Sequence, residues 1–398
     1  MLGQQGMTFF IFILCARLLT SFDFGIYNYI LAIVFFLIMF GDFGISTATS
    51  KYVAEYNITD VNKLKAVLFN SGLIIFALTF ILSILALTIG PSYLGDKYVY
   101  VLYLLPLIFL SPMTSLYDGV YRGLKKFRQL ATISLVVSAI SVLPVYFLVR
   151  SYGLTGALIS QDIFYLFLLL SLGFGHGNFA FKLNKSVIKE IGSYSFTYGI
   201  AILGNYLFIR FGILILGHYH YITEIGTYEL LNKIFMILVL PFTLLGQVVA
   251  PNFAEFAVRK QYGKILEKTK KYTVYFFVLG IMLGIALYFV IPYIIRIFIP
   301  NQYNDLLFSI LPFSVLIFVA NIWAATVDAG ILIPTGYAKL MAKFYILLGI
   351  IGTILSIVLV KYYGYLGVIY SFTICNLLMA IILRIFFFVK LRNLKYII

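Results

Sequence analysis

Three basic residues, Arg17, Arg210 and Lys233, lie within long apolar stretches of the sequence. A charged side chain at mid-membrane costs about 2.5 to 3.5 kcal/mol on insertion scales, so each needs a physical reason to be there. Such a charge can hold an anionic ligand, pair with an acid inside the protein, or extend to the membrane surface. Glu229 lies four residues before Lys233, so an internal ion pair on one helix face is an alternative to ligand binding.

The composition identifies the elements that must position these residues. The chain is 63% hydrophobic and 11% charged, with a mean hydropathy of +1.04, whereas a soluble domain carries about 25% charged residues. Continuous apolar runs of about 20 residues, the length that crosses a bilayer as a helix, follow one another along the chain. The predicted fold class is therefore an all-α polytopic membrane protein with about 12 transmembrane helices. The predicted spans are 4–20, 26–47, 67–89, 98–120, 130–149, 154–174, 193–216, 225–249, 272–298, 306–330, 341–360 and 365–389.

The basic residues predict how the chain is oriented in the membrane. The net charge of +15 is the balance of 29 Lys and Arg residues against 14 Asp and Glu residues. Most of the Lys and Arg residues lie in alternate connections and in the C-terminal tail. The positive-inside rule makes those connections cytoplasmic, with both termini inside. The charge therefore reflects topology, and no nucleic-acid partner is expected. Arg296 and Arg384 lie near predicted helix ends and are expected to extend to the membrane surface.

The two halves of the sequence resemble each other. The segments 24–27, 54–56, 105–106 and 153–156 match 225–228, 254–256, 311–312 and 364–367 in the same order, at an offset of roughly 200 residues. Since six spans return the chain to the same side, the copies are parallel repeats, an architecture typical of alternating-access transporters. We predict an N-terminal lobe at 1–175, a cytoplasmic connector at 176–192 and a C-terminal lobe at 193–398.

Several short motifs resemble one family along essentially the whole chain. They are Ala16-Arg17-Leu18-Leu19, Phe24-Gly25-Ile26-Tyr27, Gly41-Asp42-Phe43-Gly44, Lys51-Tyr52-Val53-Ala54-Glu55, Ile225-Gly226-Thr227-Tyr228, Pro241 and Pro251. Their order and spacing resemble the polysaccharide flippases of the multidrug, oligosaccharidyl-lipid and polysaccharide exporter superfamily, relatives of the lipid II flippases.

This resemblance implies a function and a site. It implies a cell-membrane transporter, not an enzyme, that carries polyprenyl-linked oligosaccharide or polysaccharide repeat units to the outer leaflet for the cell envelope. In this superfamily spans one, two, seven and eight line a central cavity, which places Arg17, Arg210 and Lys233 there. We expect them to hold the phosphates of the substrate. Membrane lipids, and glycan polymerases or glycosyltransferases, are further candidate partners.

The acidic residues in or near the spans have other candidate roles. Asp42, Asp118, Asp328 and Glu229 are predicted to gate or couple transport, or else to hold helix ends and partner the bases. Asp118 and Asp328 are related by the repeat, which favours a structural or gating role. No catalytic residue, cofactor or metal site is predicted.

Two other functions remain alternatives. A multidrug or cation exporter of the same superfamily would favour acids over bases in its cavity. The three basic residues argue against this function. A membrane glycan polymerase or glycosyltransferase would need a sizeable catalytic outer loop, whereas the predicted outer loops are short.

Overall fold

The computed structural model describes residues 2–174 and 182–395, and these are almost entirely α-helical. Contacts within the chain divide it into two compact units, Met1–Leu203 and Gly204–Ile398. The first unit is built from α1 (Leu2–Leu18), α2 (Ser21–Asp42), α3 (Ile45–Thr59), α4 (Val61–Leu94), α5 (Tyr98–Tyr103), α6 (Leu105–Gly123), α7 (Phe127–Phe174) and the beginning of α8 (Lys185–His218).

The second unit contains the rest of α8 and the helices that follow it. These are α9 (Ile222–Val258), α10 (Tyr262–Phe298), α11 (Asp305–Val327), α12 (Ala338–Tyr363) and α13 (Tyr365–Lys395). Between α11 and α12 the chain forms a π-helix, Asp328–Tyr337, which is interrupted near its end by Gly336 with a non-helical φ of 92°. Of the predicted connector, residues up to 181 lie outside the described part of the chain, and α8 begins within the remainder.

The helices present apolar surface to their surroundings. Within 2–174 and 182–395, eight helical segments are long and apolar enough to cross a membrane, judged by length and composition. Large apolar side chains lie on their outer faces, such as Phe80 on α4, 58% exposed, and Met282 on α10, 64% exposed. So much exposed hydrocarbon is incompatible with water and suits lipid. The protein is a multi-helix membrane protein, which confirms the predicted class.

Some of these segments are longer than one crossing requires. Phe127–Phe174 has 48 residues, whereas a bilayer core of about 30 Å needs about 20. Gly153 interrupts the helix with φ 56° and ψ −129°, and beyond it the backbone of Gly156 lies directly against that of Leu148. The chain therefore reverses direction within α7, and the predicted spans 130–149 and 154–174 lie on either side of this turn.

Small residues allow helices within each unit to pack closely. On α6, a Cβ atom at Gly119 would lie 2.3 Å from the carbonyl oxygen of Ser46 on α3, so only glycine fits there. In the second unit, a Cβ atom at Gly284 of α10 would lie 2.8 Å from Val319 Cγ2 on α11. Close backbone approach of this kind is a main source of helix association in membranes, because lipid gives little hydrophobic drive between helices.

Candidate functional site

The second unit contains a buried ion pair between two of the apolar helices. Arg210 of α8 donates from Nη1 to Oε2 of Glu229 on α9 over 2.6 Å. The Glu229 side chain is 2% exposed, while 31% of the Arg210 side chain remains exposed. The pair thus has one member sealed inside the protein and one that reaches its surface.

Two polar neighbours on α9 extend this pair into a cluster. Asn232 donates from Nδ2 to the second carboxylate oxygen of Glu229, Oε1, over 3.3 Å. Lys233 lies one turn beyond Glu229 and is close enough to interact electrostatically with both Glu229 and Arg210. We call Arg210, Glu229, Asn232 and Lys233 the α8–α9 polar cluster. With two cations and one anion, the cluster carries a net positive charge.

Aromatic packing fixes the two helices that carry the cluster. Phe372 of α13 contacts Phe208 of α8 at a ring-centroid distance of 6.2 Å and Tyr228 of α9 at 6.0 Å. Phe208 lies two residues before Arg210, and Tyr228 directly precedes Glu229. Because one ring packs against both helices, the guanidinium and the carboxylate are held in register by the core of the unit.

Arg17 and Asp42 belong to the first unit. Arg17 lies in the last turn of α1 and is exposed. Asp42 ends α2, and its carboxylate accepts hydrogen bonds from the backbone N–H of Ser46 over 2.9 Å and from the Ser46 hydroxyl over 2.8 Å. The Asp42 side chain therefore satisfies a backbone N–H group in the first turn of α3. This helix begins directly after Phe43 and Gly44, both in the left-handed region.

The two repeat-related acids have different surroundings. Asp118 forms an ion pair with Arg122, one turn along α6, with Oδ2 and Nη2 separated by 2.6 Å. Asp328 opens the π-helix, and its Oδ1 atom is buried without a hydrogen-bond partner among the described residues. The guanidinium of Arg384 on α13 is close enough to act on Asp328 electrostatically.

The expectation that Arg384 reaches the membrane surface is wrong. Arg384 is only 3% exposed, donates from Nη1 to the carbonyl of Ala380 over 2.5 Å, and also donates to the carbonyl of Trp323. Its guanidinium carbon lies 4.4 Å from the centroid of the Trp323 ring. The side chain points into the unit because carbonyl and aromatic partners are available there.

Sequence reasoning did not single out a second polar cluster, around Glu190 at the beginning of α8. Its carboxylate accepts hydrogen bonds from Ser186 Oγ over 2.6 Å, from Lys63 Nζ over 2.9 Å and from the Tyr56 hydroxyl. These contacts fasten α8 to α3 and α4 within the first unit. The sequence feature that could have indicated this cluster is an acid, Glu190, among the basic residues of the connector and four positions after Ser186.

No group of three or more His, Cys, Asp or Glu residues that could hold a metal ion occurs in the described part of the chain.

Solved membrane transporters share this fold. An inward-facing multidrug resistance MATE family transporter of the MOP superfamily matches with a TM-score of 0.78 and 13% identity, over 99% of this chain and 96% of the other. The lipid II flippase MurJ, in an inward closed conformation, matches with a TM-score of 0.75 and 17% identity, over 98% of this chain and 88% of that one. At these identities the likeness establishes the fold alone.

Sequence comparison gives the family. A protein of Shigella dysenteriae named as an O-antigen transporter is 22% identical over 272 residues, a match that spans 66% of this chain and 66% of that protein, just under two thirds of each. The family model described as "Polysaccharide biosynthesis protein" matches residues 1–257, which is more than half of the 398 residues. The chain therefore belongs to the polysaccharide biosynthesis protein family.

Proposed function

We propose that the protein is a flippase that moves a lipid-linked oligosaccharide or polysaccharide repeat unit from the cytoplasmic to the outer leaflet of the cell membrane. The family, the O-antigen transporter and the lipid II flippase support a lipid-linked glycan as the cargo. The observation that carries the proposal is the net positive α8–α9 polar cluster within apolar helices. A pyrophosphate head group is anionic and requires such a charge to enter an apolar environment.

Within the cluster, each residue has a separate proposed role. Arg210 offers a planar fork for phosphate oxygens, and its side chain is exposed enough to do so while still contacting Glu229. Lys233 contributes a second positive charge, and Glu229 holds Arg210 in place. Arg17 is the proposed phosphate contact of the first unit. Asp42, Asp118 and Asp328 are proposed to gate or couple transport.

We further propose twelve spans arranged as two parallel six-helix repeats, which operate by alternating access with both termini in the cytoplasm. Two matched turns support the repeat. Gly153 has φ 56° and ψ −129°, and Gly364 has φ 58° and ψ −143°. Three residues later, the backbones of Gly156 and Gly367 lie against those of Leu148 and Leu359, respectively. The same unusual turn thus occurs at corresponding positions of the two halves.

Translocation in proteoliposomes tests this function. A labelled lipid-linked oligosaccharide is incorporated into vesicles with the purified protein, and a glycosidase added outside reports how much head group has crossed. We expect protein-dependent crossing, which is reduced at least tenfold when Arg210 and Lys233 are both replaced by Gln. Crossing that is unaffected by this double change would contradict the role of the cluster, and no crossing with any lipid-linked glycan would contradict the flippase.

The alternative is a multidrug or cation exporter, which the likeness to MATE transporters favours. The same vesicles distinguish the two, because an exporter would release small organic cations and leave the lipid-linked glycan in place. Glycosyltransferases that build the substrate, and a polymerase that consumes it, are the proposed protein partners of the flippase.

A further inference from the structure

A basic groove lies where α6 ends and α7 begins, in the first unit and apart from the α8–α9 polar cluster. It has a volume of about 500 Å³ and is lined by Lys125, Lys126, Arg128, Gln129, Thr132 and Ile133. It is an open depression on the surface, not an enclosed cavity. The groove therefore has the size and the side chains to take a ligand with a negatively charged head.

The positive charge of the groove is not neutralised within the described residues. The nearby acid, Asp118, is paired with Arg122, and none of Lys125, Lys126 and Arg128 takes part in an ion pair in residues 2–174 and 182–395. All three are exposed. The first turn of α7 adds backbone N–H groups that have no acceptor within the helix. An anion in the groove would meet three cations and these donors.

The surface next to the groove is apolar. Along the same face of α7, large apolar side chains follow the groove at helical spacing: Val136 is 49% exposed, Ile140 58%, Leu143 65% and Phe147 62%. From Ile133, in the groove, to Leu143 this face extends about 15 Å at 1.5 Å per residue, close to half of a bilayer core of about 30 Å. Phe127, which begins α7 between Lys126 and Arg128, is 57% exposed.

A polar, cationic end joined to an apolar face of one leaflet's depth matches the shape of a phospholipid. We propose that this groove binds the head group of an anionic membrane phospholipid, with an acyl chain lying along the exposed face of α7. A soluble phosphate would use the cations but not the apolar face. Basic clusters next to a membrane helix attract anionic lipids electrostatically.

Native mass spectrometry of the detergent-purified protein tests the proposal, with dioleoyl phosphatidylglycerol and dioleoyl phosphatidylcholine as probes. These probes share their acyl chains and differ in head-group charge. We expect the wild-type protein to retain phosphatidylglycerol in preference, with an affinity that falls as salt is added. The triple variant K125Q/K126Q/R128Q should bind phosphatidylglycerol about 10- to 100-fold more weakly, with an unchanged unfolding temperature because all three side chains are exposed.

A matched variant distinguishes the groove from general surface charge. K264Q/K270Q/K271Q removes three exposed lysines from α10, in the second unit, and should bind phosphatidylglycerol as the wild type does. Equal loss in both triple variants would overturn the proposal, because attraction would then be spread over the surface. Equal retention of the two lipids by the wild type would also overturn it. So would displacement of the lipid by millimolar inorganic phosphate, which would assign the groove to a free anion.

Discussion

Glu229 is the residue whose surroundings most restrict the mechanism. With 2% of its side chain exposed, its negative charge must be compensated inside the protein, and Arg210 and Asn232 contact its two carboxylate oxygens. Removing one member of a buried ion pair leaves the other charge unpaired, which costs about 3 to 5 kcal/mol in typical cases. Loss of transport in an Arg210 variant alone would therefore mix a structural effect with a functional one.

A pair of variants separates these effects. Arg210→Gln alone should lower both stability and transport, because the buried Glu229 carboxylate loses the cation that contacts it directly. In R210Q/E229Q both charges are removed and amides of similar shape remain, so stability should recover by several kcal/mol. Transport should stay low, because the cation proposed to contact phosphate is absent. Unfolding in detergent and crossing in proteoliposomes provide the two readouts.

Recovery of transport together with stability in R210Q/E229Q would show that the pair is structural only. Lys233→Gln provides a control on the remaining charge. It leaves the contact between Arg210 and Glu229 in place, so we expect lower transport with a small change in stability. Normal transport in the Lys233 variant would contradict a role for the net positive charge.

Arg384 is held inside the second unit by three contacts. Its guanidinium combines a hydrogen bond to the Trp323 carbonyl, one to the Ala380 carbonyl and stacking on the Trp323 ring. Arg384→Met should lower the free energy of unfolding by about 2 to 4 kcal/mol, since hydrogen bonds from charged donors are worth about 1.5 to 3 kcal/mol. Arg384→Lys should not restore it, because an ammonium lacks the planar fork that reaches two carbonyls while stacking. Chemical unfolding in detergent measures both, and full stability in the Lys variant would contradict this explanation.

Among the elements, the chain reverses direction at Gly153 and at Gly364. These two turns allow consecutive helices to pack side by side within each unit. Both residues have positive φ with ψ near the extended region, a combination that is essentially restricted to glycine. Gly153→Ala should lower the free energy of unfolding by about 1 to 3 kcal/mol from backbone strain alone, since nothing lies within 4 Å of an added Cβ atom. Gly364→Ala should cost more, because its Cβ atom would also lie 2.9 Å from the Tyr221 hydroxyl.

Gly192 in α8 is the matched control for these two glycines. It also has open space around an added Cβ atom, but its backbone is helical. Gly192→Ala should therefore be neutral or stabilise the protein by up to about 1 kcal/mol. Chemical unfolding of the three variants, measured side by side, tests the argument. Equal effects at Gly153 and Gly192 would show that the turn imposes no backbone strain.

Hydropathy was sufficient to predict the helical membrane class, because lipid forces long apolar runs to satisfy their own backbone hydrogen bonds. Contacts between side chains of different helices were harder to predict from the sequence. The spacing of Glu229 and Lys233 indicated a pair on one helix, whereas the direct partner of Glu229 is Arg210, 19 positions away on another helix. For Arg384, closeness to a helix end did not reveal that Trp323 would offer a carbonyl and a ring. Both outcomes depend on which helices pack together, which local spacing does not encode.

At the scale of the whole molecule, charge and hydropathy together bear on orientation. Helix lengths identify eight segments, in the described part of the chain, that could cross a membrane, but length alone does not say on which side each connection lies. The distribution of Lys and Arg predicts that side through the positive-inside rule. Lys185 and Lys264 lie at basic connections, and both are exposed. Asp96 and Tyr362 lie at connections of low basic charge, and both are exposed as well.

Cysteine labelling in intact cells tests this orientation. The native Cys15 and Cys375 are 0% and 3% exposed, so they should react little with a polar maleimide and leave a low background. In single variants, Asp96→Cys and Tyr362→Cys should be labelled by a membrane-impermeant maleimide added outside. Lys185→Cys and Lys264→Cys should be labelled only after the membrane is permeabilised. The same pattern from both halves of the chain is what two parallel repeats require, because an even number of spans returns the second copy to the starting side. Opposite labelling of Asp96→Cys and Tyr362→Cys would mean that the halves are inverted, and the parallel repeat would have to be abandoned.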